Sequence, residues 1–251
     1  MASDTPCVRT HGDSLAGLGH SVYAQGSHTT PAVTASPRLN SDEYAHDYDE
    51  VKALGSKNST ARTQAQTDLA SFYAGNFIDL WQRTLQDIVT TNLNFDLAGS
   101  ARLFALADLA SADAVIAAWD AKKYWNFWRP ITAIQQGDTD GNPQTAGDPN
   151  WRPFLDTPPY PDYTSGANNL TAAVMRTLEL YFGDKLTFSV ISTAVAVNNT
   201  RTYDRFSDVM EDVVNVRIYQ GIHFRSADEV ARRTGIRAAD WAFAHFLRKQ
   251  K

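Results

Sequence analysis

The stretch "LAGSARLFALADLASADAVIAAWDAKKYWNFWRP", residues 97 to 130, decides the fold class. Its apolar residues recur without a proline from Leu97 until Pro130, which cannot continue a helix, and its one glycine, Gly99, lies near the start. This pattern predicts one long helix from about Leu97 to Trp128. Small residues along it favour close packing against other helices, namely Ala101, Ala105, Ala107, Ala110, Ala112, Ala114, Ala117 and Ala118.

The segments on either side of this stretch also have helical periodicity. Ser41 can cap a helix that ends at Gly55, and Thr63 can cap a longer one that runs to about Asn92. An apolar stripe follows it at three- and four-residue spacing: Leu69, Phe72, Tyr73, Phe77, Leu80, Trp81, Leu85 and Ile88. Further helices are predicted at about 165 to 182, 201 to 219 and 227 to 248. Almost no segment has a strand pattern, so the predicted fold is all-α, a helical bundle.

The remaining segments lack periodicity. Residues 1 to 40 are rich in Ser, Thr, Gly, Pro and His and are predicted to form an irregular N-terminal arm, with a single helical domain over residues 41 to 251. Residues 137 to 164 are dense in Gly, Pro and Asp and form a predicted long loop. Its aromatic residues Trp151, Phe154 and Tyr160 favour an ordered and functional loop.

Composition excludes several classes of protein. The 251 residues carry a net charge of -5 without a basic run, which argues against general nucleic-acid binding. The single Cys7 excludes an internal disulfide and a multi-cysteine metal site. No transmembrane segment and no signal peptide is predicted, and a secreted or periplasmic location stays open for a chain whose signal was removed. The long amphipathic helices and the arm are compatible with a homodimer.

Two cations lie near the end of the long predicted helix. Lys122 and Arg129 are seven residues apart, which on one helix places them on nearly the same face, roughly 10 Å apart along the axis. Aromatic residues surround them in the sequence: Trp119, Trp125, Phe127 and Trp128. The alternative is that both cations reach solvent or pair with Asp113 and Asp120.

A third cation and a histidine follow in the predicted helix at 201 to 219 and just beyond it. Arg217 falls on the same face as Val213 and Val214, where a guanidinium needs an internal acid or a bound anion. His223 lies between Ile222 and Phe224, after Gly221 ends the helix. A histidine in such apolar surroundings is also common as an ordinary core residue.

The dipeptide Ser165-Gly166 opens another predicted helix. The Ser165 hydroxyl can cap it, and the free N–H groups of Gly166 and the next residues point at whatever lies before the helix. A simple N-cap explains these residues equally well. If the three places converge, they form an oxyanion pocket with cationic, hydroxyl and backbone donors.

Taken together, these residues resemble a known family. Lys122, six residues, then Arg129-Pro130; Ser165-Gly166; and Arg217, five residues, then His223 are similar in order and spacing to the signature of the vanadium-dependent haloperoxidases and the type-2 phosphatidic acid phosphatase superfamily. The stretch "GIHFRSADEVARRTG" resembles bacterial haloperoxidase-type members. The resemblance covers about residues 40 to 248 and implies one complete helical bundle with part of a second.

The resemblance also implies a role for each matched residue. His223 would be the vanadium ligand of a peroxidase, or the nucleophile that attacks phosphate in a phosphatase. Lys122, Arg129 and Arg217 would bind the oxyanion together with Ser165 and Gly166, and Lys122 would also polarise peroxide. Trp119 and Tyr160 are expected as pocket walls, with Asn168 beside them. The implied cofactor is vanadate, and phosphate fits the same geometry.

One position departs from the family pattern. The motif continues Ser-Gly-His, and that histidine is the acid–base catalyst, whereas this chain has Ala167. A methyl group cannot transfer a proton, a role worth about 10²- to 10⁴-fold in rate. Asn168 or Asn169 could position water without taking its proton. The family also tends to have an acid shortly after the second histidine, and whether Asp228 orients His223 is open.

Three functions are compatible with a family member that has Ala167 in place of this histidine. The first is a haloperoxidase-like enzyme that uses hydrogen peroxide to oxidise a halide or a small organic substrate, with activity attenuated or altered by Ala167. The second is a hydrolase of phosphate esters that passes through a phosphohistidine at His223. The third is a repurposed member that binds an oxyanion or small ligand without the ancestral reaction, in a pocket enlarged by the missing imidazole.

Overall fold

A computed structural model describes residues 33–93, 96–196 and 199–248 of the chain. Most of the predicted N-terminal arm therefore lies outside the described residues, and residues 33–40 contain neither helix nor strand. The described part is mainly helical, which confirms the predicted fold class. Within it, no helix has the length and apolar character needed to cross a membrane.

Eight α-helices and one β-hairpin make up the described elements. In chain order they are α1 (Asp42–Leu54), α2 (Gln64–Phe72), α3 (Phe77–Asn92), α4 (Leu97–Trp125), α5 (Pro130–Gln135), α6 (Gly166–Phe182), β1 (Lys185–Ile191), β2 (Thr200–Arg205), α7 (Phe206–Tyr219) and α8 (Arg225–His245). The predicted caps of α1 are confirmed, because the Ser41 side chain accepts the N–H of Tyr44 and Gly55 ends the helix. The predicted long loop is confirmed too, apart from a short 3₁₀ turn at Gly137–Thr139.

The single helix predicted from Thr63 to Asn92 is wrong, because two helices occupy this range. Thr63 does cap the first one, α2, through a capping box with Gln66. The chain leaves the helix at Tyr73, and Asn76 then starts α3 by accepting the N–H groups of Ile78 and Asp79 with its side chain. An apolar stripe alone cannot reveal this break, because both helices bury their share of it in one core.

The predicted end of α4 is also wrong, with a consequence for the two cations. The helix stops at Trp125, where Asn126 adopts a left-handed conformation with φ 43°, a conformation that asparagine tolerates better than most residues. Arg129 therefore lies outside α4, in extended backbone just before Pro130 begins α5. Lys122 and Arg129 do not share a helix face, and their proximity has another cause.

Residues 185–205 contain a β-hairpin, for which the sequence pattern predicted no strand. Strands β1 and β2 pair antiparallel, with Phe188 opposite Tyr203 and Val190 opposite Arg201. The predicted helix at 201 to 219 is shortened accordingly to α7, which begins at Phe206. The alternation of β1, which buries Phe188 and Val190 and exposes Thr187 and Ser189, is the strand signal that the helical periodicity hid.

The centre of the bundle is formed by α4, α6 and α8. Small residues of all three helices make one fully buried contact, which confirms the predicted close packing: Ala110 and Ala114 from α4, Ala173 from α6, and Ala238, Ala239 and Ala242 from α8. Gly235 of α8 lies directly against α6. A Cβ at this position would lie 2.8 Å from the Ala172 Cβ and would also collide with the Asn169 carbonyl oxygen.

Replacement of Gly235 by alanine is therefore expected to destabilise the protein. The added methyl meets helix backbone, which cannot rotate away, and overpacking of this kind costs about 1 to 3 kcal/mol. Thermal unfolding should show a lower Tm by several degrees. An unchanged Tm would mean that α6 and α8 separate more easily than their contact indicates.

Candidate functional site

The predicted site residues come from five separate places in the fold. Lys122 lies in the last turn of α4 and Arg129 just before α5. Ser165 is the N-cap of α6, Arg217 is in the last turn of α7, and His223 lies in the link between α7 and α8. The Ser165 N–H donates to the Ala227 carbonyl at 3.2 Å, which ties the start of α6 to the start of α8.

Lys122 is buried and bound to the loop that precedes α6. Only 2% of it is exposed, and its Nζ donates to the carbonyl oxygens of Pro161 at 2.7 Å and Asp162 at 2.8 Å. Neither solvent nor Asp113 or Asp120 takes these hydrogen bonds. Burial, and then the neighbouring Arg129, lower the pKa of Lys122. An ammonium group has three N–H donors, so one remains for a ligand.

Arg129 connects this loop to the segment that carries His223. Its Nε donates to the Tyr160 carbonyl at 2.8 Å, and its Nη1 donates to the Ile222 carbonyl at 2.6 Å. The same Nη1 lies 3.0 Å from His223 Nε2, and Nη2 is buried without a hydrogen-bond partner. The two cations thus meet because both bind the 160–162 loop.

The protonation of His223 follows from its neighbours. Arg129 can only donate, so the facing Nε2 must accept, and the proton of a neutral ring then sits on Nδ1. Burial, followed by the charges of Arg129, Arg217 and Lys122, holds the pKa of His223 well below its usual range, which keeps the ring neutral. Nε2 therefore has a lone pair directed at the cationic side of the site.

Asp162 is a residue that the sequence interpretation missed. It is fully buried, and its Oδ1 lies 2.7 Å from His223 Nδ1 and 3.8 Å from Arg129 Nη1. The contact to His223 is short, but its angle falls outside that of a hydrogen bond, so neither atom has a directed partner. Burial raises the pKa of Asp162, against the effect of Arg129 and Lys122. Its place three residues before Ser165 was the available signal.

Asp228, by contrast, has no hydrogen bond or ion pair with His223 in the described part of the chain. It is fully buried, and its Oδ1 accepts a hydrogen bond of 2.7 Å from the Asn168 side chain. The open question of which acid lies beside His223 is thereby answered in favour of Asp162. Burial raises the pKa of Asp228 well above its usual range, and Arg217 acts in the opposite direction.

Two nitrogens of the Arg217 guanidinium differ in their hydrogen bonding. Its Nη1 donates to Gln220 Oε1 at 2.8 Å, whereas its Nε is buried without a partner. The guanidinium lies 5.5 Å from the ring centre of Phe77. Burial lowers the pKa of Arg217 to about 10, and Asp228 opposes this shift, so the group stays charged at neutral pH.

The helix start at Ser165-Gly166 faces unfilled space. Ser165 is buried, and its Oγ accepts the N–H of Asn168 at a long 3.4 Å. A Cβ added at Gly166 would meet no atom within 4 Å. Ala167 is half-buried, and the amide of Asn168 is directed to Asp228 rather than to this space.

The two aromatic residues expected as pocket walls lie above the cations. The rings of Trp119 and Tyr160 are 5.0 Å apart, and both residues are partly exposed to solvent. The Tyr160 ring covers Lys122 at 5.2 Å and Arg129 at 4.9 Å. Their role as walls of a substrate pocket stays a prediction.

One further carboxylate supports the segment around His223 from a distance. Helix α8 has no cap from its own N-cap residue, Phe224. Instead Asp47 of α1, which is 4% exposed, accepts the N–H of Ser226 at 2.9 Å. The His223 segment is therefore fixed at its C-terminal end by α1, a contact that no local motif could predict.

The charges of the site suit an anion. Burial raises the pKa values of both carboxylates, Asp162 and Asp228, and lowers that of Lys122, so the positive charge of the site comes from the guanidinium groups of Arg129 and Arg217. Two guanidinium donors, Arg129 Nη2 and Arg217 Nε, are buried and unpartnered. Such donors are costly to leave unsatisfied. Among the residues that the structure describes, no cluster of three or more His, Cys, Asp and Glu side chains could hold a metal cation.

This fold is that of the vanadium haloperoxidases. A solved bacterial vanadium-dependent iodoperoxidase matches 84% of this chain with a TM-score of 0.69 at 25% identity, and the match covers 51% of that chain. A bacterial vanadium-dependent chloroperoxidase, solved in its apo form, matches 84% of this chain and 50% of its own with a TM-score of 0.67 at 19% identity, which shows the fold alone.

Comparison of the sequence with a family model assigns the chain to a family. Residues 102–251 match the model of the VCPO second helical-bundle domain, and the chain belongs to this family. The vanadium chloroperoxidase of Curvularia inaequalis is 34% identical over 180 residues, which cover 59% of this chain and 29% of that protein. The chain thus spans less than a third of this curated relative and about half of the solved chains.

Proposed function

We propose that this chain binds a tetrahedral oxyanion of the vanadate class and acts as a haloperoxidase-like enzyme. The observation that carries the proposal is the pair of buried, unpartnered donors, Arg129 Nη2 and Arg217 Nε, in a site with an excess of positive charge. The relatives are named as vanadium-dependent peroxidases, which supports vanadate as the ligand.

The residues of the site fit such a ligand. Lys122 has one donor left, and the first N–H groups of α6 face the unfilled space at Gly166. The lone pair of His223 Nε2 is the expected ligand atom for vanadium. When vanadate is bound, it supplies the activation of hydrogen peroxide for the oxidation of a halide or a small organic substrate.

The side chains of the protein would orient and stabilise the bound group. The contact with Arg129 keeps the proton of His223 on Nδ1, beside Asp162, and leaves Nε2 with a lone pair that can bind a ligand. Arg129 must give up its 3.0 Å contact with His223 Nε2 when that atom binds another partner. Its hydrogen bonds to the Tyr160 and Ile222 carbonyls hold the guanidinium nearby during this change.

The same arrangement favours a second candidate, hydrolysis of phosphate esters. A neutral His223 with its Nδ1 beside Asp162 is arranged as a nucleophile. Attack of Nε2 on phosphorus would expel an alkoxide that needs a proton, and Ala167 cannot donate one. The reaction would then be confined to esters with good leaving groups, such as aryl phosphates.

Replacement of Gly166 by alanine tests the oxyanion site directly. The methyl group contacts no protein atom, so the Tm should stay within the small range of neutral substitutions. Vanadate affinity, measured by titration, should fall about 10- to 100-fold, because the methyl group occupies the space that the oxyanion needs and weakens its hydrogen bonds to the charged donors. Gly235→Ala is the matched control, since it should lower the Tm and leave vanadate affinity unchanged.

The activity needs its own measurement. We expect that the purified protein, loaded with vanadate, halogenates a phenol dye only when peroxide and a halide are both present. Absence of vanadate binding would overturn the proposal as a whole. Vanadate binding without any halogenation, together with turnover of an aryl phosphate, would favour the hydrolase instead.

A further inference from the structure

Arg225 is the first residue of α8, and its side chain binds two other helices. Its Nε and Nη2 donate to the Glu50 carboxylate of α1 at 2.8 and 2.7 Å, and Nη2 also donates to Asn215 Oδ1 of α7 at 3.0 Å. The Arg225 side chain is 28% exposed and that of Glu50 is 19% exposed. These three residues, named here the Arg225 bridge, join α1, α7 and α8.

The stability of α8 does not explain an arginine at this place. The N-terminus of a helix is the positive end of its dipole, so a cation in the first turn is unfavourable. Water screens a partly exposed ion pair, which therefore contributes little to stability. The cap of α8 comes from Asp47, which accepts the Ser226 N–H, and not from Arg225. An effect on the neighbouring site explains the arginine better.

The bridge encloses the turn that carries two residues of the site. Arg217 follows Asn215 by two residues, and His223 precedes Arg225 by two residues. Between them the chain reverses at Gly221, which has a φ of 76°, a left-handed conformation that glycine adopts without strain. The distance between Arg217 and His223 therefore depends on how the two ends of this turn are held.

The end of the turn beside His223 is also held by α1 in other ways. The Phe224 ring lies 5.7 Å from that of Tyr44, and α1 caps α8 through Asp47. Neither contact includes a residue of α7. The hydrogen bond to Asn215 does, so it ties the start of α8 directly to the helix that carries the site arginine.

We propose that Arg225 is a positioning residue that sets the distance between Arg217 and His223, so that both bind the same oxyanion. Groups of a binding site must lie within about 0.5 Å of the productive geometry. Residues that orient a ligand from behind are typically worth about 10- to 100-fold in affinity. This inference rests on the proposed function, in which Arg217 Nε and His223 Nε2 bind one vanadate.

Replacement of Asn215 by alanine tests the bridge without touching the site. It removes the α7 end and leaves Arg225 bound to Glu50. Alanine favours the helix, so the Tm should stay close to that of the parent. Vanadate affinity, titrated on the full chain, should fall about 10- to 100-fold. Asn215→Asp keeps an acceptor oxygen for Arg225 and should retain most of the parent affinity.

Asp240→Ala is the matched control, because it removes a comparable contact between α6 and α8. There Arg176 Nε donates to Asp240 Oδ1 at 2.7 Å, and both side chains are partly exposed. This variant should leave vanadate affinity unchanged. Arg225→Lys is a second test with the charge kept. An ammonium group lacks the planar fork that holds Glu50 and Asn215 together, so this variant should also bind vanadate less tightly.

Each outcome decides the inference. Parent affinity in Asn215→Ala would overturn it, and so would an equal loss in Asn215→Asp or in Asp240→Ala. A lower Tm with unchanged vanadate affinity would give Arg225 a structural role alone. Vanadate separates the two proposals: binding by the unmodified protein that no bridge variant weakens leaves the proposed function standing, whereas no binding by the unmodified protein removes both.

Discussion

Replacement of His223 by alanine should abolish peroxide-dependent halide oxidation and lower vanadate affinity by more than about 100-fold. The reason is that Nε2 is the proposed vanadium ligand atom: its lone pair faces the cationic side of the site, 3.0 Å from Arg129 Nη1, and Asp162 lies beside the opposite ring nitrogen. Loss of a partner in the outer shell of a metal ligand typically costs about 10- to 100-fold, so loss of the ligand itself should cost more. Vanadate titration and a halogenation assay measure the two effects separately.

His46→Ala is the matched control, because His46 is an exposed residue of α1. It should leave both affinity and activity unchanged. Near-native circular dichroism of His223→Ala is needed, since the substitution removes the side chain nearest to the buried Asp162 carboxylate. Vanadate affinity equal to that of the parent would contradict the assignment of His223 as the vanadium ligand and would favour an oxyanion site built from cations alone.

The contrast between Lys122 and Arg129 marks the limit of sequence prediction here. Their spacing correctly drew attention to both residues, but for a wrong reason, since α4 ends between them at a left-handed Asn126. What brings them together is the 160–162 loop, whose carbonyl groups accept hydrogen bonds from both side chains. Helical periodicity describes one element at a time and cannot anticipate that two cations share a loop.

The same limit explains why the carboxylates of the site are harder to predict from the sequence than its cations. Asp162, Asp228 and Asp47 each act across elements, on His223, Asn168 and Ser226 respectively. None of these contacts has a fixed sequence spacing, because each depends on how two helices or a loop and a helix pack. The cations and the Ser165-Gly166 start could be found from order and spacing in a resemblance, whereas the carboxylates required the packed fold.

The missed hairpin has a different cause. In β1 the alternation of Phe188 and Val190 with exposed residues was present in the sequence. It does not stand out because the segment is short and lies between two strongly helical patterns. Seven residues give a weak period-2 signal, and tertiary packing of these side chains into the α3 and α7 core decides the outcome.

Replacement of Ala167 by histidine should produce the largest gain of function. Ala167 is in the first turn of α6, next to the unfilled space at Gly166, so an imidazole there would lie beside the proposed oxyanion. A positioned acid–base group contributes about 10² to 10⁴ in rate. The positive end of the helix dipole would lower the pKa of the new histidine, which favours its neutral, proton-accepting form.

The comparison must separate proton transfer from simple filling of space. Ala167→Gln is the matched control, because a glutamine side chain has similar bulk and hydrogen-bonding groups but cannot move a proton at neutral pH. A gain for histidine alone in peroxide-dependent halogenation would identify oxidation as the chemistry this scaffold supports, and a gain for histidine alone in aryl or alkyl phosphate hydrolysis would identify phosphoryl transfer. Equal, small changes for both variants in both assays would mean that the site binds its oxyanion without turning it over.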